Sequence, residues 1–173
     1  MRKGVKPTGR ESPLAENDLI VTKTDLKGRI TYANEVFLRV SHFRAEEVLG
    51  EPHSINRHPD MPRCVFRLLW ERVQSGREIF AYVVNLASNG DHYWVFAHVT
   101  PSYDQRGNIV GYHSNRRKPD AHQVATIADL YRTLRAAEAE PKNRKDGMMG
   151  GAERLNAILA DKGVGYDEFV FSI

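Results

Sequence analysis

Three apolar runs follow one another between residues 78 and 116, EIFAYVVNLA, HYWVFAHVTPSY and IVGYHSNR, separated only by SNGD and DQRGN. Asn89-Gly90 is among the strongest short-range hairpin signals, and Gly107 supplies a second turn. Connections this short join antiparallel neighbours, because a parallel pair needs a crossover of a dozen or more residues. Three consecutive antiparallel strands are therefore expected. The other segments must extend or cover the sheet that they form.

Upstream, LIVTKTD and RITYAN read as two more short strands, with Asp25 and Gly28 in the turn between them. Asn34 stands at an N-cap position before the short helix EVFLRVS, and Gly50 stops a second one in RAEEVLG. Residues 51–61 lack periodicity. Pro62 then opens a longer helix whose apolar stripe is Val65, Leu68, Leu69 and Val73, with Phe66 and Trp70 on its flank and Gly76 at its end. After Pro119 the pattern turns helical. Val124, Ile127, Tyr131 and Leu134 form a seam of about two heptads. The expected divisions are a flexible leader at 1–17, a core at 18–119, an amphipathic helix at 120–140, a Gly-containing linker at 141–151, and a helix with an apolar tail at 152–173. This order describes an α+β fold, one antiparallel sheet with helices gathered on one face.

Composition excludes several functions. With one cysteine among 173 residues there is no intrachain disulfide, CxxC pair or thiolate zinc site. The start MRKGVKPTGRESP has no apolar stretch of the secretory kind, and no run approaches the ~20 residues of a membrane span, so a cytoplasmic location without membrane insertion is expected. The net charge of +3 is spread over a mixed surface, partly in the leader and in Arg116–Arg117–Lys118, and does not suggest nucleic acid. No nucleophile–base pair, metal cluster or phosphate loop stands out, so the chain is not read as an enzyme.

RHPDMP at 57–62, the Phe66/Trp70 spacing, NGDHYWV at 89–95 and GY at 111–112 resemble a PAS domain, as do TDL near 24 and ITYAN near 30 more loosely. The likeness covers residues 18–119. Within the family it leans to the FAD-binding PAS domains of aerotaxis receptors. It implies a five-stranded antiparallel sheet with short helices on one face, and FAD held non-covalently between them. Carried over by position, it points to Asn34, Arg57, His58, Asp60, Trp70 and Asn85 as cofactor contacts. Asn85 also matches the asparagine that faces the ring in light-sensing flavin PAS domains. The chain departs from that group in two places. Cys64 sits in PRCVF, outside the reactive-cysteine motif, and His113 replaces a last-strand glutamine. A light-induced adduct is therefore not expected, and His113 joins the candidates as a donor near the ring edge.

The chemistry of these residues can be read beside the resemblance. Val95, Ala97 and Val99 alternate with Trp94, Phe96 and His98, and the smaller set suits close approach to a flat ring. Asn85 offers a donor and an acceptor to a ring edge; its bland alternative is a strand asparagine near a loop. Arg57 suits a pyrophosphate, aided by the helix N-terminus near Pro62. His58 and Asp60 suit phosphate and ribose, although Asp60 can also cap the helix or pair with Arg57 on the surface. Trp70 is either core or a stacking partner, and Cys64 reads as a small buried hydrophobe. The expected output is a redox signal to a chemoreceptor or histidine-kinase partner, from a homodimer, passing through another protein. The outer sheet face is expected to dock a helix, a second subunit or a receptor. A b-type haem on His58, His98 or His113, and a cofactor-free adaptor, remain as alternatives.

Overall fold

The protein is described over residues 5–173 by a computed structural model. Strands β1 (Ile20–Thr24) and β2 (Ile30–Ala33) form the first hairpin, and Gly28 closes its turn at φ +74° with its N–H on the Asp25 carbonyl. Three short-to-medium helices follow: α1 (Glu35–Ser41), α2 (Ala45–Val48) and, after a 3-10 turn at His53–Asn56, α3 (Arg63–Gln74). Then come β3 (Ile79–Leu86), β4 (His92–Tyr103) and β5 (Ile109–Arg117). The sheet runs β2-β1-β5-β4-β3, antiparallel throughout, so the first hairpin docks beside the last strand. The α+β class and the five-stranded sheet are as the sequence predicts.

Alternation along the strands sorts the side chains into two environments. Val83, Asn85, Ala97 and Val99 turn toward α3 and enclose a cavity with it. Tyr82, Trp94, Phe96 and His98 turn the other way. Three more helices follow the sheet: α4 (Ala121–Ala139), α5 (Arg144–Lys162) and α6 (Tyr166–Ser172). The ring of Tyr131 on α4 lies 6.0 Å from Trp94, and its hydroxyl donates to the Tyr82 carbonyl. Phe171 on α6 packs 4.8 Å from Phe80 and 6.1 Å from Phe96. The outer sheet face, expected to dock a helix, a second subunit or a receptor, is thus covered by helices of the same chain.

Three of the expected divisions are corrected. Residues 1–4 lie outside the described part, but the rest of the leader is not loose. The Thr8 and Ser12 amides donate to the carbonyls of Gly90 and His92, the His92 amide returns a bond to Arg10, and Ser12 and Leu14 are buried. Backbone pairing of this kind leaves no periodic side-chain signature. The linker is the second correction, since the chain is helical from Arg144 onward. Its glycines lie where α5 meets α4: a Cβ on Gly147 would come 2.2 Å from the Glu138 carbonyl oxygen, and one on Gly151 2.7 Å from the Glu138 side chain. Third, the apolar tail is the helix α6, with Phe169 and Val170 buried.

Substitution of the α5 glycines tests the contact with α4. Gly147→Ala should lower unfolding stability by about 1–3 kcal/mol, the usual cost of overpacking. Gly150→Ala, whose Cβ would come no closer than 3.5 Å to the Ala137 carbonyl oxygen, should raise stability by about 0.5–1 kcal/mol through helix propensity. Urea unfolding of the two variants should give opposite signs. Losses of equal size would contradict the close α4–α5 contact.

Candidate functional site

The cavity between the sheet and α3 has a volume of about 260 Å³. Val83, Ala97 and Val99 give it one apolar wall, and Phe66, Leu69 and Trp70 give the other, with polar groups between them. Two buried polar atoms in it have no hydrogen-bond partner among the described residues: Asn85 Nδ2 and Ser114 Oγ. Such atoms cost about 1–3 kcal/mol each when unpaired, so their place in a shared hollow points to a ligand that completes them.

Four sequence candidates converge here or at its border. Asn85 and Arg57 are brought together by an antiparallel backbone bridge. The Arg57 guanidinium lies 4.7 Å from the centre of the Phe66 ring, and its Nη2 donates to the Met61 carbonyl at 3.1 Å. Burial of that cation lowers its pKa from the free value. Trp70 stands edge-on to Tyr112, with ring centres 5.4 Å apart. His113 borders the cavity through its strand, but its ring does not serve there. Along β5 the cavity-facing residues are Tyr112, Ser114 and Arg116, while His113 Nε2 bonds Asn115 Oδ1 at 3.0 Å on the opposite face. The expected donor at the ring edge is therefore displaced by one residue.

The remaining candidates lie elsewhere. Asn34 caps α1: its Oδ1 accepts from the Phe37 and Val21 amides and its Nδ2 donates to the Leu19 carbonyl. His58 is buried beside the cavity, its Nδ1 accepting from the Asp60 amide, and burial lowers its pKa. Asp60 is exposed and pairs with Arg135 of α4 at 2.5 Å, not with Arg57. The α3 N-terminus is also taken. Glu138 of α4 accepts from the Cys64 amide at 2.8 Å and from Arg63 Nε at 3.0 Å, so a phosphate would meet a carboxylate there. Cys64 is buried and does not line the cavity; burial, with the Glu138 charge, pushes its thiol up to about 12.

Sequence reasoning missed Arg116 and His53. Arg116, placed among surface charges in the sequence reading, is buried on the cavity face of β5. Its Nη2 bonds Thr22 Oγ1 at 2.9 Å and His53 Nε2 at 2.7 Å. Since arginine only donates, His53 Nε2 accepts and the ring is neutral. Burial, then the Arg116 charge, holds its pKa down at about 3. The signal was available in the period-2 register, since Tyr112, Ser114 and Arg116 share one face.

A second cleft, of about 760 Å³, adjoins the cavity and shares Ser54 and Arg57 with it. Arg63, Arg132, Arg135 and Arg144 line it, with Glu138 the carboxylate among them. A concave apolar slot with polar edge groups, continued by an arginine-lined channel, suits a flat ring carrying a phosphate-bearing tail. Among the described residues, no helix is long and apolar enough to cross a membrane.

Comparison with known proteins bears on the fold. The model of the PAS fold matches residues 20–114. The aerotaxis receptor of Escherichia coli (strain K12) is 36% identical over 138 residues, which cover 80% of this chain and 27% of the receptor. Phototropin-1A of Oryza sativa subsp. japonica is 23% identical over 109 residues, 63% of this chain and 12% of that protein. The chain thus spans about a quarter or less of the length of these relatives. The light-state structure of the blue-light photoreceptor Aureochrome1 LOV superposes with a TM-score of 0.56 at 20% identity, covering 69% of this chain and 91% of that one; this likeness concerns the fold.

Proposed function

Since the chain belongs to the PAS fold family, we propose that it is a sensory module that holds FAD non-covalently and reports redox or oxygen state to a signalling partner of the chemoreceptor or histidine-kinase kind. The observation that carries this reading is the unpartnered Asn85 amide buried in a slot with apolar walls. A bound flavin supplies reversible electron uptake coupled to protonation of its ring. Asn85 would meet the ring edge, Val83, Ala97 and Val99 would cover one ring face, and Phe66, Leu69 and Trp70 would close over the other. Arg57 stands where the cavity meets the arginine-lined cleft, which favours a dinucleotide tail over a shorter one. The likeness to an aerotaxis receptor supports the sensory role.

The haem alternative is less well supported by the same geometry. His98 faces the outer side, 2.7 Å from Glu78 Oε2 and stacked on Phe80, and His113 is bonded to Asn115. His58 has its Nδ1 occupied by the Asp60 amide.

The path from the site outward runs through the sheet. Asn85 lies three residues from Tyr82, whose carbonyl accepts the Tyr131 hydroxyl of α4. A change in what Asn85 holds shifts the strand on which α4 rests, and α4 with α6 forms the output surface.

The test is a visible spectrum of the purified protein before and after dithionite, with chromatography of the released cofactor. The expected result is a flavin spectrum that bleaches, and a cofactor that elutes as FAD. Asn85→Leu should weaken retention about 10- to 100-fold, the worth of a buried polar pair left unmade. A haem spectrum, or a colourless protein that does not take up FAD, would overturn the proposal.

A further inference from the structure

Among the described residues, three cationic side chains border the cavity, Lys27, Arg57 and Arg116, and no aspartate or glutamate does. Lys27 is exposed and Arg57 leads into the arginine-lined cleft, so both meet water or a phosphate tail. Arg116 has neither outlet. It is 7% exposed, and among the described residues no carboxylate pairs with it. Its partners are neutral: the Thr22 hydroxyl and the unprotonated nitrogen of His53. Burial of a charge without a counter-charge is among the costliest arrangements in a protein interior, and it is tolerated where a ligand supplies the missing sign. Beside Arg116 on the same face of β5 stands Ser114, 5% exposed, with its Oγ unpartnered. A mobile hydroxyl next to a fixed guanidinium can donate to the same acceptor.

We propose that Arg116, Ser114, Thr22 and His53 form an anion-recognising subsite in the cavity, so that the ligand presents a negatively charged or strongly electron-rich ring edge to Arg116. The subsite is separate from the phosphate-facing Arg57. Thr22 and His53 keep the guanidinium in place without neutralising it, and His53 does so as an acceptor. The identity of the ligand rests on the flavin reading; the preference for negative charge does not. With a flavin bound, the Arg116 charge would favour the more electron-rich, reduced form of the ring.

The test uses flat probes of one shape and two charges. Benzoate and benzamide are titrated into cofactor-free protein and followed by thermal shift, with wild type, Arg116→Gln and Arg116→Lys compared. The expected result is benzoate about tenfold or more tighter than benzamide in wild type, as for a charge-assisted bond. The preference should vanish in Arg116→Gln and persist in Arg116→Lys. In flavin-loaded protein, Arg116→Gln should also lower the reduction midpoint of the ring. Benzoate no tighter than benzamide in wild type would overturn the subsite, as would a preference unchanged in Arg116→Gln. A charge preference in protein that takes up no flavin would sink the flavin reading and leave the subsite standing. Flavin binding with no charge preference and an unmoved midpoint would do the reverse.

Discussion

Glu138→Ala should destabilise the protein by about 3 kcal/mol, the low end of the cost of breaking a buried ion pair. Glu138 is 6% exposed and holds α4 to α3. One carboxylate oxygen takes the Cys64 amide at the start of α3, and the other takes Arg63 Nε. Arg63 Nη2 also reaches the Glu138 carbonyl at 3.1 Å, so the pairing ties the end of α4 to the beginning of α3 twice. Alanine would leave the α3 N-terminal amide unpaired and Arg63 facing neutral backbone. The low end is the right estimate because the Arg63 side chain is 23% exposed and regains water. Chemical unfolding measures the loss directly. A thiol reagent gives a second readout: with the Glu138 charge gone, Cys64 should ionise more readily and react faster. A loss below about 1 kcal/mol, as for a surface pair, would show that α4 is not fastened to α3 in this way.

That contact also shows where sequence reading reaches its end. Asn89-Gly90, Gly107 and the alternation of Val95, Ala97 and Val99 with Trp94, Phe96 and His98 are local signals, and each has one physical solution. They gave the three-stranded frame, its hairpins and the face that lines the cavity. The α5 start had no such signal. Gly147 and Gly151 look like breakers in a linear sequence, and only the approach of Glu138 explains them as contact residues in a helix. Charge was misread in the same manner. Arg116 belongs to a run of three basic residues and reads as solvated, yet the strand turns Arg116 inward while Arg117 stays exposed.

The site residues divide along a similar line. Asn85 was pointed to by the resemblance and by an amide that can donate and accept at a ring edge. Arg57 was pointed to by the resemblance and by its charge, since residues 51–61 have no periodicity; the bridge to Asn85 that brings it to the cavity joins segments 28 residues apart. Asn34 is the N-cap that its position predicts, and its three hydrogen bonds go to the Phe37 and Val21 amides and the Leu19 carbonyl. His113 borders the cavity but bonds Asn115, while its neighbours Tyr112 and Ser114 face inward, because in a strand one residue is the other face.

Ala97→Phe should abolish flavin binding while leaving the fold intact or more stable. Ala97 is the smallest side chain on the sheet wall of the cavity, and its Cβ faces the space between β4 and α3. A phenyl ring there occupies the volume a flat ligand would need. Polar substitutions such as Asn85→Leu remove one interaction from many, but a ring in the slot removes the slot itself. The cavity of about 260 Å³ can accept the added side chain without driving the strands apart. The apolar surface and void that it removes should stabilise ligand-free protein by roughly 1–2 kcal/mol. Two measurements therefore move in opposite directions: flavin content of the purified variant falls to background, and the melting temperature of cofactor-free protein rises or holds. Retention of flavin at wild-type level would place the cofactor outside this cavity. Loss of both binding and stability would mean that β4 and α3 close on each other too tightly to admit a ring, and the proposed slot would lose its physical basis.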